Sequence, residues 1–336
     1  MMESGTLNLS VVICTYNPDR EVFTRVMDSI SALQRPKEGF VEFILVDNNS
    51  TFSLTEMDAV DRFLRVPNAR LVKETKQGHA FARQKGIKEA KYEVVVFFDD
   101  DNEPPSDYLL QMASLFQAFP NVGVWGPGRV EVMFFGQVPA WIPFNKGEFQ
   151  AKNLGIRQFA CVKDWLSMYP PGTGFAVRTS VLKNYLQQCE TGMYTDAGRT
   201  GGATSSAEDV QIVFEAVKMG FAAGTDPSLS INHLIIARKA TYQYLKKLRF
   251  GMSSAFAKAY CECFPEDAPV INPYRLSEIV GLVWTAFYVS IIRRKSPRFF
   301  AFEMATVTGK LAGRFIKGAM PYPVWLRWLI GFQHLK

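Results

Sequence analysis

The first 240 residues alternate short apolar runs with amphipathic stretches. Residues 10–14 and 40–46 are continuous enough in β-branched and aromatic residues to read as strands. Residues 19–33 between them place apolar side chains at helical spacing. A polar stretch with helical potential leads to a short strand near 69–72, then a helix over 78–90 and a strand over 92–98. Pro104-Pro105 breaks the chain, and 106–119 reads as a helix with Ser106 as its cap. This β-α-β-α order predicts an α/β protein with a mostly parallel sheet flanked by helices. Residues 130–171 are irregular and should fold over the sheet. The Gly-, Ser- and Thr-rich stretch 195–207 reads as a flexible loop. A helix over 206–219 and short strands at 222–224 and 229–233 finish a catalytic unit of residues 1–240. Residues 241–336 read as a helical extension.

Polar residues collect where these strands end. Thr15, Tyr16 and Asn17 follow the first strand, and Asp47 closes the second. Asp99, Asp100 and Asp101 follow the run Val94-Val95-Val96-Phe97-Phe98. Ligands of open α/β sheets bind beyond the carboxyl ends of the strands, so these groups predict one site. Neighbouring carboxylates repel, and a divalent cation holding a phosphate would relieve them.

The hydrophobic share of 48% supports a sizeable core. Five scattered cysteines, in no metal-ligand spacing, suit reduced thiols in a cytosolic protein. No secretory signal pattern is evident at the start. The net charge of +6 hides an asymmetry. From His233 onwards there are 16 Lys+Arg and 5 Asp+Glu, which leaves the preceding part acidic. A basic, aromatic-rich tail suits an anionic partner, nucleic acid or membrane. Its longest uncharged run, 279–292, is 14 residues, short of the roughly 20 that span a bilayer, and suits a buried or interfacial helix.

Several segments together resemble the family 2 glycosyltransferases, inverting enzymes with the GT-A type (Rossmann-like) fold. They are Val11-Val12-Ile13-Cys14-Thr15-Tyr16-Asn17, Ile44-Leu45-Val46-Asp47-Asn48-Asn49-Ser50, Gln77-Gly78-His79-Ala80-Phe81-Ala82-Arg83, the Asp99–Asp101 cluster and Glu208-Asp209, in family order over roughly residues 9–240. The resemblance implies a donor site of Thr15, Tyr16, Asn17, Asp47, Gly78, Arg83, Asp99 and Asp100, with Asp47 and the Tyr16 region at the nucleotide base. It makes Asp99 and Asp101 a D-x-D pair. Asp101 would ligate Mn²⁺ or Mg²⁺ directly, Asp99 would serve the ribose or a metal-bound water, and His233 would lie near the diphosphate or metal. Asp209 would be the general base and Glu208 would orient it or the acceptor. Gly172, Thr173 and Gly174 would line the sugar and acceptor. Taken as residues alone, Asp47 could instead cap a turn, Arg83 face solvent, Glu208-Asp209 be helix-start acids and His233 a core histidine.

The expected activity is metal-dependent transfer from a nucleotide diphosphate sugar, a UDP-sugar, to a glycan or lipid-linked saccharide in bacterial polysaccharide assembly. Nucleic acid is not expected as a partner. Processive members carry Gln-x-x-Arg-Trp, and Val324-Trp325-Leu326-Arg327-Trp328 lacks the glutamine, so single additions are expected. The expected location is cytoplasmic, with peripheral contact on the inner membrane face through the tail or, alternatively, the tail packed on the core. The competing readings are a nucleotidyltransferase and a non-catalytic nucleotide-sugar or glycan-binding protein.

Overall fold

The computed structural model describes residues 7–195, 198, 207–267, 275–293, 296–317 and 321–335. The loop expected at 195–207 lies almost wholly outside them. Strands β1 (Leu9–Thr15), β2 (Val41–Asp47), β3 (Ala69–Lys73) and β4 (Val94–Asp99) lie close to where the apolar runs place them. Helices α1 (Arg20–Ser31), α2 (Asp58–Leu64) and α3 (His79–Glu89) connect them. The chain continues through β5 (Asn102–Glu103), α4 (Tyr108–Ala118), β6 (Val122–Phe135), β7 (Lys152–Asn153), β8 (Gln158–Ala160), β9 (Ala176–Arg178), α5 (Thr179–Glu190), α6 (Glu208–Lys218) and β10 (Ala222–Ile236). The tail forms α7 (Tyr242–Cys263), α8 (Leu276–Phe287), α9 (Pro297–Lys317) and α10 (Val324–Phe332).

The strands form one sheet in the order β3-β2-β1-β4-β9-β6-β10-β5, with β7 beside β6 and β8 beside β10. The sheet is mixed: its long strands pair in parallel, as the sequence pattern suggested, and short antiparallel strands join them. β3, β2, β1 and β4 are parallel, as are β6 and β10. Three-residue β9 runs antiparallel between the two parallel sets. Such short strands carry almost no periodicity of their own, and pairing with neighbours makes them strands. Three expectations change. The irregular stretch begins only after β6. The strands at 222–224 and 229–233 are one continuous strand. At α4 the capping position is Asp107, whose side chain makes no capping bond, and Ser106 lies one residue outside.

Alternation along the central strands covers the sheet on both faces. Val11, Ile13, Phe43, Leu45, Val96 and Phe98 face α1, α2 and α4. Val12, Cys14, Ile44, Val46, Val95 and Phe97 face α3, α5, α6 and α7. α1 starts at Asp19, whose carboxylate accepts from the Val22 N–H, and buries Val22, Phe23, Val26, Met27 and Ile30 at helical spacing. α3 buries less hydrophobic bulk because it sits close to β1. A Cβ at Gly86 would stand 2.3 Å from Val12 Cγ1.

That approach yields a test. Gly86→Ala must push α3 off β1 or force Val12 from its rotamer, a cost of about 1–3 kcal/mol. The thermal midpoint should fall by several degrees. An unchanged or raised midpoint would mean that the contact is loose.

Candidate active site

Register brings the polar strand ends together. Thr15 lies opposite Asp47 on β2, and Cys14 opposite Asp99 on β4. β5 adds to the far edge of β10, pairing Asn102 with His233, and the Leu234 N–H donates to the Asp101 carbonyl at 2.8 Å. The fourth contribution is the start of α6, where Glu208 and Asp209 are the first two helical residues. A cavity of about 420 Å³ opens between them, lined by Thr15, Tyr16, Gly78, Arg83, Asp99–Asp101, Thr173, Glu208, Asp209 and His233. α7 closes one wall with Tyr244, Met252 and Phe256.

The first pole of this cavity is a buried ion network. Arg83, 2% exposed, donates from Nη1 to Glu208 Oε1 and from Nη2 to Asp99 Oδ1, both at 3.2 Å. Nη2 also reaches the Gly172 carbonyl at 3.4 Å. The His79 ring bridges the same two acids, with Nδ1 at 2.6 Å from Glu208 and Nε2 at 3.0 Å from Asp99. Burial and the Arg83 charge oppose a charged ring, yet Asp99 and Glu208 raise His79 to about 9. Burial likewise opposes ionisation of Asp99, but Arg83 and His79 hold it down to about 2. Gly172 is required here. Its φ is +86°, and a Cβ would lie 3.1 Å from Arg83 Nη1 and 3.2 Å from Asp209 Cβ.

The second pole gathers Asp100, Asp101, His233 and Lys239. Lys239 Nζ donates to Asp101 Oδ2 at 2.7 Å, and His233 Nε2 stands 3.5 Å from Asp101 Oδ1. His233 Nδ1 is 2.9 Å from the Phe149 carbonyl, so it carries a hydrogen. In the neutral ring, Nε2 then turns its lone pair towards the carboxylate, and a cation would satisfy both. Burial works against the Asp101 charge, but Lys239 and His233 hold its pKa far below the usual carboxylate range. Burial, with the adjacent Asp101 charge, pushes Asp100 up to about 6 despite Lys239. Thr15 Oγ1 donates to Asp100 Oδ2 at 3.0 Å.

The other sequence-selected residues are fixed by hydrogen bonds at the cavity wall or behind it. Asp47 Oδ1 accepts from the Ser50 N–H at 2.8 Å, closing a turn. Asn17, at φ +47°, accepts from the Thr51 N–H and ties the loop after β1 to the loop after β2. The Tyr16 ring is exposed at the rim, and its hydroxyl accepts from Gln77. Gly78 donates its N–H to the Asn48 side chain at 2.8 Å. Thr173 donates to Gln150 at 2.6 Å, and the Gly174 carbonyl accepts from the Tyr108 hydroxyl. Neither Asp47, Asn17, Gly172 nor Gly174 lines the main cavity.

Sequence reasoning missed Lys239 and passed over His79 as a site residue. The only signal for Lys239 was its place in a basic pair six residues beyond His233. Arg249 of α7 is committed to its own ion pairs: it meets Glu148 on both carboxylate oxygens and also Glu303.

The raised His79 value makes a pH prediction. A pKa near 9, against 6.5 for a free ring, is stabilisation present below pH 6.5 and lost as pH rises through 9. The difference is worth roughly 3 kcal/mol. Wild-type thermal stability should therefore decline over that window, and His79→Gln should flatten the decline. Parallel profiles for the two proteins would refute the bridge.

A sequence model described as "Glycosyl transferase family 2" matches residues 10–186, more than half of the chain. No curated protein matches it. Among solved structures, S. aureus TarS 1-349 aligns over 94% of this chain and 93% of its own, at 16% identity and a TM-score of 0.45. The same fragment in complex with UDP-GlcNAc aligns at 15% identity and 0.47, with the same coverage of both chains. With its GT-A type α/β fold on a mixed sheet, the chain belongs to glycosyl transferase family 2.

Proposed function

We propose that this glycosyltransferase moves a sugar from a nucleoside diphosphate donor, a UDP-sugar, to a hydroxyl of a glycan or lipid-linked saccharide, with inversion, as a step of polysaccharide assembly. The observation that carries the reading is the two-pole cavity. Lys239, with Asp101 and His233, lines the same cavity as the acids Glu208 and Asp209. A displacement needs both, a cation to hold the leaving diphosphate and a carboxylate to act as base.

Asp209 would take the proton from the acceptor hydroxyl as its oxygen attacks the anomeric carbon. The helix start beneath it favours the ionised form before the proton arrives. Glu208, 1% exposed and fixed by Arg83 and His79, positions the first turn of α6 and with it Asp209. Lys239, held charged by Asp101 and Asp100 against burial, would meet the diphosphate oxygens. Thr15 orients Asp100 at the same edge.

The residues fit a divalent ion. Asp99, Asp100, Asp101, Glu208 and Asp209 are five carboxyl groups beside the three cationic side chains of Arg83, His79 and Lys239. A diphosphate entering that surplus needs further positive charge. Asp101 and His233 would hold the ion, leaving its other positions to phosphate and water; Asp99 is already engaged by Arg83 and His79. Among the described residues no set of three or more acidic, His or Cys side chains could hold a metal ion by itself. When bound, Mn²⁺ or Mg²⁺ would supply Lewis-acid neutralisation of the leaving group.

Screening nucleotide sugars by thermal shift with and without Mn²⁺ identifies the donor, and release of nucleoside diphosphate then measures turnover. Asp209→Asn should lower turnover by about 10²–10⁴-fold while leaving the donor-induced shift near wild type. A wild-type protein that binds a donor with Mn²⁺ but never releases diphosphate, with any acceptor tried, would defeat the enzymatic reading. Separately, chelation should abolish turnover and added Mn²⁺ or Mg²⁺ restore it. Full activity in chelator would show that Lys239 suffices without an ion.

A further inference from the structure

The C-terminal helices turn apolar side chains outward. Seventeen large hydrophobic side chains are exposed among the described residues, and nine of them lie between Leu276 and Phe332. In α8 and its continuation to Arg293, these are Leu276, Val280, Trp284, Tyr288 and Ile292. A four-residue repeat on a helix makes one stripe. The opposite side of α8, through Ile279, Leu282, Val283 and Ala286, packs against α9. α10 has the same division. Leu326 and Ile330 point inward, while Val324, Trp325, Trp328 and Phe332 are exposed, with Trp328 66% accessible.

We propose that these outer faces of α8 and α10 dock on an anionic lipid bilayer, with the helices lying in the interface. Trp and Tyr on the stripes are the side chains that favour the headgroup level. The charge around the stripes selects the occupant. From Arg275 to Lys336 the sequence holds ten Lys+Arg and two Asp+Glu. Arg275 and Arg293 bracket the α8 stripe, Arg298 follows it and Arg327 lies within α10, all exposed. A second copy of the chain would bring positive charge against positive charge. Anionic headgroups complement the rim while the acyl boundary takes the stripes.

By length and composition Leu276–Arg293 could also cross a bilayer, since its 18 residues reach about 27 Å. Crossing would strip its inner side from α9 and leave that cluster open. Lying flat keeps the packing and uses the outer face. The inference is independent of which sugar the cavity takes.

Flotation of the full-length protein with phosphatidylcholine vesicles, with and without phosphatidylglycerol, tests it. The protein should float with the anionic vesicles at low salt, less so at high salt, and little with phosphatidylcholine alone. The double variant Trp284→Glu/Trp328→Glu should lose about tenfold or more in bound fraction while keeping the wild-type thermal midpoint. Should that variant unfold, Arg293→Glu/Arg327→Glu serves instead, and it should lose the preference for anionic vesicles. Three results overturn the proposal: no vesicle binding by wild type, undiminished binding by a folded variant, or light scattering that shows a dimer which the tryptophan substitutions split.

Discussion

One buried guanidinium holds the candidate site together. Arg83 sits where α3, the end of β4, the turn at Gly172 and the start of α6 converge, and its planar fork reaches Asp99, Glu208 and the Gly172 carbonyl at once. Burying so much charge is tolerable only while the partners stay together, and removing one member of such a set costs about 3–5 kcal/mol. His79, one turn earlier on α3, doubles the bridge between the same two acids. The network therefore fixes the distance from the strand edge to the helix that carries Asp209. It also explains the glycine at 172, since a side chain there would press on both Arg83 and Asp209.

The second pole is built differently. Asp101 is brought to His233 by the backbone of β10, which pairs with short β5 immediately after the aspartates. Lys239 then turns back from the end of β10 to neutralise Asp101. Asp101 thus stands between an ammonium on one oxygen and an imidazole near the other. The two poles share the Asp99–Asp101 segment, so three consecutive carboxylates divide their work: Asp99 belongs to the Arg83 network, Asp101 to Lys239 and His233, and Asp100 to Thr15.

The helical tail serves the site and a surface together. α7 and the Phe264 that follows it pack on α6, with Phe256, Tyr260 and Phe264 around Phe214, and Met252 and Phe256 line the cavity. Arg249 ties α7 to Glu148 and to Glu303 of α9, so part of the tail's positive charge is internal bracing. α8 and α10 each pack on α9 and leave their apolar stripes outward among the basic residues of the tail.

The sequence by itself determined the parallel half of the sheet, the placement of Thr15, Asp47 and Asp99 at strand ends, and the segments that mark the family. Those features are local: alternation, strand length and the abrupt change from apolar core to charge are written in consecutive residues. It did not determine the antiparallel insertion of β9, whose three residues become a strand only between two ready edges. It did not single out His79 or Lys239, because a histidine or lysine acquires its role from carboxylates that are distant in the chain, 129 residues away for His79 and Glu208 and 138 for Lys239 and Asp101. Nor could it show that Asp47 closes a turn while Asp101 meets a cation, since two strand-end aspartates look alike until the neighbouring elements are packed. Tertiary structure decided those assignments, because electrostatic partnership depends on distance through space and burial rather than on position in the chain.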